Sequence, residues 1–177
     1  MKNSLVFGAI SAVSSAALYL IAFLLGYQTT NIANGQWFAV LYFLVPIVVL
    51  YFGMREAREG RQDKSAAYPY SQALVSAVTI SCFAGVFFAI YLYVHFAFIN
   101  TNFVQYYSEF TRNKMEALGK MTPDQIDAMV KMQARFMGPG AQAIFTLVIG
   151  PIIGTIEGLI LAIFVKRPAP EGQVQSV

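Results

Sequence analysis

The sequence predicts an all-α integral membrane protein, with four transmembrane helices and an extracytoplasmic helical hairpin between the third and the fourth. Three observations lead there. Only 12% of the 177 residues are charged and 57% are hydrophobic, whereas a soluble domain carries about 25% charged residues. The charges are clustered, leaving long uncharged runs of about 18 residues or more, the length that crosses a bilayer as a helix. The basic residues flank those runs instead of forming a stripe, so the net charge of +3 reads as membrane topology. A nucleic-acid partner is excluded on that ground.

The first span is expected at about 4–27. A cleaved signal peptide also opens with a basic residue such as Lys2, but its apolar core is only about 7–15 residues. The run here is longer and lacks a small-x-small cleavage site, so it reads as a retained helix. Residues 27–36 form a short uncharged polar turn with Thr29, Thr30, Asn31, Asn34 and Gly35. The second span, 37–54, carries Pro46 at its middle, where a proline removes one backbone hydrogen bond and kinks a helix. A charged loop, 55–69, holds Arg55, Arg58, Arg61 and Lys64 among Glu56, Glu59 and Asp63. The third span, 70–98, is longer than a bilayer needs at about 1.5 Å per residue, so it tilts or projects.

Residues 99–140 are the one sizeable soluble segment. Asn100, Thr101 and Asn102 are candidate caps for a helix running to about Leu118 and ending at Gly119. Thr122-Pro123-Asp124-Gln125 is a clearer start: a capping threonine, proline at the first helical position and glutamine closing a capping box. Ile126, Met129, Val130, Phe136 and Met137 then recur at helical spacing, predicting an amphipathic helix, until Gly138-Pro139-Gly140 breaks the chain. The fourth span, 141–165, closes on Lys166 and Arg167. The tail, 168–177, reads as a disordered cytoplasmic extension.

Orientation follows from the basic flanks, which collect in the cytoplasm. Lys2, the four basic residues of the charged loop, Lys166 and Arg167 share one side, while the short turn opposite has none. Both termini are therefore expected inside and the 99–140 segment outside. Tyr27, Trp37 and Phe38 mark one interface and Tyr51, Tyr68 and Tyr70 the other.

Few residues carry chemistry. Glu157 is the one acid deep in a span, about eight residues or about 12 Å from the end of its helix. A carboxylate there is protonated, paired or facing a wet cavity. It is the candidate proton- or ion-binding group; the alternative is a neutral acid that joins helices by a hydrogen bond. Gly150, Gly154 and Gly158 repeat every four residues beside it, a small-residue helix-packing face. Pro151 frees the carbonyl of Leu147 and makes this a second kinked helix. Ser4, Gly8, Ser11 and Ser15 share one face of the first span, and Gln72, Ser76 and Thr79 one face of the third, both expected to serve packing or to bond their own backbone.

His95 reads as a structural residue near the outer interface, with pH sensing as the alternative. Five methionines between Met115 and Met137 suit adaptable packing better than soft-metal binding, in the absence of histidine or cysteine partners. Cys82, the single cysteine, is expected as a small buried side chain and leaves no disulfide or zinc cluster to build. There is no phosphate loop, nucleophile elbow or zinc signature, so no enzyme, no metal and no cofactor are expected.

The opening Met1-Lys2-Asn3-Ser4, the Tyr70-Ser71-Gln72-Ala73-Leu74 entry to the third span, the Ile99-Asn100 step out of it, and Gly158-Leu159-Ile160 leading to Lys166-Arg167 together give a resemblance. The chain resembles a bacterial family of small four-helix membrane proteins known only as a domain of unknown function. That resemblance implies a bacterial inner membrane and supplies no activity. Thr101 stands where proline is expected, and Glu157 also departs from the family's pattern. From the sequence, the function expected first is association: an accessory subunit or scaffold whose partners are the bilayer and another membrane protein or further copies of itself. The alternative is a small oligomeric transporter or channel using Glu157.

Overall fold

A computed structural model describes residues 2–61, 63 and 66–168. The tail from residue 169 onward, and with it most of the segment expected to be disordered, lies outside the described residues. The chain is helical: α1 (Lys2–Leu24), α2 (Ile32–Gly35), α3 (Ala39–Glu59), α4 (Tyr70–Val94), α5 (Phe103–Leu118), α6 (Pro123–Met137) and α7 (Pro139–Val165). Among the described residues, four helical stretches are long and apolar enough to cross a membrane: Lys2–Leu24, Ile32–Glu59, Tyr70–Ile99 and Pro139–Val165.

Helix α4 is the centre of the bundle and packs against α7, α1 and α3, while α5 and α6 pair with each other as a hairpin. The densest core lies at the end of the bundle that carries the basic residues. There Leu50 and Met54 of α3 meet Ala73, Ala77 and Ile80 of α4 and Ala162 and Val165 of α7, with Tyr68 from the preceding loop. The outward faces are apolar as well. Val13, Phe52, Val75, Ile144 and Phe164 are all exposed. An apolar exterior of this kind is compatible with a protein that crosses a bilayer.

Local chemistry fixes the ends. The Arg58 guanidinium donates to the Val165 carbonyl at 3.1 Å, placing a cation at the carbonyl-rich end of α7 where the helix dipole favours it. Tyr68 and Arg167 exchange two backbone hydrogen bonds of 2.9 and 2.8 Å, which ties the α3–α4 loop to the end of α7. Gly119 ends α5 at φ +61°, a left-handed position that suits glycine. The Thr122–Gln125 capping box is present at the start of α6.

The structure differs from the sequence reading at several boundaries. α3 continues past Met54 to Glu59, because Arg55 and Glu59 pair at i,i+4 with 2.8 Å between charged atoms and keep the polar turn helical. The turn before it contains the short α2. Only Gly138 separates α6 from α7, and Pro139 is the first residue of α7, where its missing N–H is not needed. Cys82 is exposed, not buried. The inward row of α4 runs Ala73, Ala77, Ser81, Gly85 and Ala89, and the residue after Ser81 is turned about 100° away from it.

Candidate functional site

Helices α4 and α7 run antiparallel in a fixed register of small residues. A Cβ added to Gly158 would lie 2.5 Å from the Cβ of Ala77, one added to Gly154 2.1 Å from the Ser81 hydroxyl, and one added to Gly150 3.7 Å from the Cα of Gly85. Each step of four residues along α7 matches a step of four along α4. Pro151 sits in the same seam, with its ring against Gly85. The Pro151 carbonyl accepts a 2.7 Å hydrogen bond from Thr155 Oγ1.

Beside this seam the bundle opens. A cavity of about 280 Å³ lies between α1, α3, α4 and α7. Its α7 wall runs from Phe145 to Glu157, which is about 18 Å of helix. Pro46 and Tyr42 form part of the α3 wall, Ser11, Ser15 and Tyr19 the α1 wall, and Ser81, Gly85 and Phe88 the α4 wall. Pro46 cannot donate to the Tyr42 carbonyl, so α3 has a break in its bonding where it borders the cavity.

Glu157 closes one end of this space. Among the described residues no ion pair or hydrogen bond reaches its carboxyl group. Ser11, Ser15 and Ser81 are buried, line the same cavity, and use their hydroxyls in no hydrogen bond with another described residue. An acid and three hydroxyls therefore face one space with their bonding capacity unspent. The remaining walls are aliphatic and aromatic, with the rings of Tyr19, Tyr42, Phe43, Phe88 and Phe145 among them. The Tyr19 and Tyr42 rings lie 4.6 Å apart, and Phe88 meets Tyr19 edge-on at 5.3 Å. Such a lining can hold a proton or a small cation by charge at Glu157 and by ring faces at the opposite end.

Beyond Tyr19 lies a second polar cluster, closed and fully satisfied. After Val94 the backbone widens into a π-helical turn, His95–Ile99, and Asn100 N–H donates to the His95 carbonyl at 2.7 Å. His95 is wholly buried. The Gln28 amide nitrogen donates to the Tyr19 carbonyl at 2.9 Å, so its oxygen is free to accept. His95 Nε2 lies 2.8 Å from that oxygen, which makes Nε2 the protonated nitrogen. Nδ1 is then the acceptor for the Tyr91 hydroxyl at 3.1 Å. Asn100 Nδ2 donates to the same Gln28 oxygen at 3.3 Å.

Sequence reasoning placed His95 at an interface without partners and missed Gln28, which stands 67 positions away in an unremarkable turn. The polar face of the third span has a local explanation: Ser76 donates to the Gln72 carbonyl at 3.0 Å and Thr79 to the Val75 carbonyl at 2.7 Å.

The hairpin adjoins the His95 cluster through Phe103, the first residue of α5, whose ring lies 4.5 Å from that of Phe96. α5 and α6 bury Thr111, Ile126 and Val130 between them and are linked by an Arg112–Asp127 ion pair. Leu118, Met132 and Phe136 remain exposed.

These features define an all-helical chain with four candidate membrane-crossing helices and an acid-lined cavity between them. Residues 6–167 match the model of the family described as "Protein of unknown function (DUF4199)", and the chain belongs to that family. No curated protein and no solved structure matches it.

Proposed function

We propose that this chain is a multi-pass membrane protein that works without covalent chemistry, binding a proton or small cation at Glu157 in the course of transport. The observation that supports this best is the cavity itself. It brings a carboxyl group unpaired among the described residues together with the unbonded hydroxyls of three buried serines, in a bundle whose apolar exterior suits a bilayer. A carboxyl group kept only to join helices would spend its bonds on a neighbour, and Glu157 spends none on the described residues. In this reading both termini and the basic end lie in the cytoplasm and the α5–α6 hairpin outside. The family resemblance suggests a bacterial inner membrane, and a homo-oligomer would complete a path that one bundle leaves partial. The test is flux in liposomes carrying the purified chain under an imposed proton gradient. The wild type is expected to dissipate the gradient, and Glu157→Gln to fall to the rate of protein-free liposomes. Flux that survives this substitution removes Glu157 from the mechanism.

A second reading, association as an accessory subunit or scaffold, has one observation in its favour. The hairpin leaves Leu118, Met132 and Phe136 exposed, and exposed apolar residues at the end of a domain suit a partner surface. A stoichiometric partner recovered at native expression in mild detergent would favour this reading.

A further inference from the structure

A second opening lies at the basic end, between the first turns of α1 and α4. It is a groove of about 590 Å³, lined by Lys2, Asn3 and Ser4 on one side and by Arg61, Ser71 and Gln72 on the other. Its chemistry is the reverse of the Glu157 cavity. Among the described residues no carboxylate lines it. Lys2 forms no ion pair with a described residue. The Arg61 guanidinium donates only to neutral acceptors, the Ala67 carbonyl at 3.0 Å and the Gln72 side-chain oxygen at 2.6 Å. Both positive charges are thus uncompensated by the described residues. Ser4 is only 8% exposed, lines the groove, and its hydroxyl makes no hydrogen bond with another described residue. A side chain nine-tenths buried whose hydroxyl has no partner among the described residues is uncommon in folded proteins, and this one lines the same groove as Lys2 and Arg61. The first turns of α1 and α4, both long helices, add the partial positive charge of their unbonded N–H groups.

We propose that this groove binds an anionic phosphate group, supplied by a phospholipid headgroup. Two cations, Arg61 held by its hydrogen bonds and Lys2 exposed beside it, with hydroxyl and amide donors around them match the oxygens of a phosphate. The lipid source is favoured by what adjoins the site. Val75 lines the groove and is exposed, and Leu5 on α1 is exposed one residue beyond Ser4, so an acyl chain would continue along an apolar exterior. The groove sits at the end of the spans, the depth of headgroups when the bundle crosses a bilayer. The lipid source rests on the membrane reading; the phosphate chemistry does not.

The test is native mass spectrometry of the full chain, delipidated in a neutral maltoside detergent and titrated with phosphatidylglycerol or phosphatidylcholine, together with thermal unfolding in millimolar inorganic phosphate. Phosphatidylglycerol is expected to stay bound, and phosphatidylcholine, whose cationic head would find no carboxylate here, to leave. Lys2→Gln and Ser4→Ala should each weaken phosphatidylglycerol binding by about tenfold, the loss of one charge-assisted hydrogen bond. Lys166→Gln changes an exposed cation outside the groove and should hold within about twofold. Protection by inorganic phosphate alone, equal to that by the lipid and lost in the same two variants, would keep the site and move its source to a soluble phosphate. Equal retention of both lipids, or equal weakening by Lys166→Gln, would overturn the proposal.

Discussion

Helix α7 meets its two neighbours in different ways. Against α4 it presents Gly150, Gly154 and Gly158 to Gly85, Ser81 and Ala77, and the two backbones close on each other with no room for a methyl group at the central contacts. Its buried contact with α3 gathers at the basic end, in the cluster of Leu50, Met54, Ala162 and Val165. Between that cluster and the opposite end, Tyr42, Phe43 and Pro46 stand across from Phe145, Ile149 and Ile153 with the cavity between them. Small residues repeated every four positions let helices approach; bulky rings and a proline hold them apart. The seam holds α4 and α7 in close contact, and the gap gives Glu157 a space to face.

The comparison breaks most visibly at adjacent residues. Gly154→Leu would drive a side chain into Ser81 and should destabilise the bundle by about 3 kcal/mol or more, read as early thermal unfolding in detergent. Ile153→Phe, one position away but on the cavity wall, enlarges a side chain that has open space beside it and should change stability by less than about 1.5 kcal/mol. Equal damage from the two would mean that the seam and the cavity do not differ as described.

Much of this contrast was legible in the chain, and the reasons are local. The four-residue glycine repeat and the depth of Glu157 are spacings along one helix, which a sequence displays directly. The four long apolar runs are equally local. The cavity is different, because it takes walls from four helices and no one stretch announces it. The same holds for Gln28 and His95, whose bond joins the ends of α1 and α4 across 67 positions. Arg55 and Glu59 signal the end of an apolar run, yet their ion pair extends α3 beyond it. Cys82 was misjudged because a uniformly apolar helix hides which face turns inward.

Smaller effects sharpen the account at its edges. His95→Ala would leave the Gln28 oxygen and the Tyr91 hydroxyl without their buried partner and should lower stability by about 2 kcal/mol, with the π-helical turn reporting the change as faster amide exchange at Asn100. Thr122→Ala removes the capping box of α6 and should cost about 1 kcal/mol, confined to hydrogen exchange in the hairpin. Arg55→Gln breaks an exposed pair and should leave the melting temperature unchanged, since exposed ion pairs contribute little.

The central claim is that Glu157 faces a space that another molecule can enter from the apolar interior. A hydrophobic carbodiimide, which labels carboxylic acids in apolar surroundings, tests this in liposomes by peptide mapping of the modified chain. The account predicts labelling at Glu157, and slower labelling when Ile153→Trp narrows the cavity one turn away. Absence of label at Glu157, or labelling at the same rate with the cavity narrowed, would contradict it.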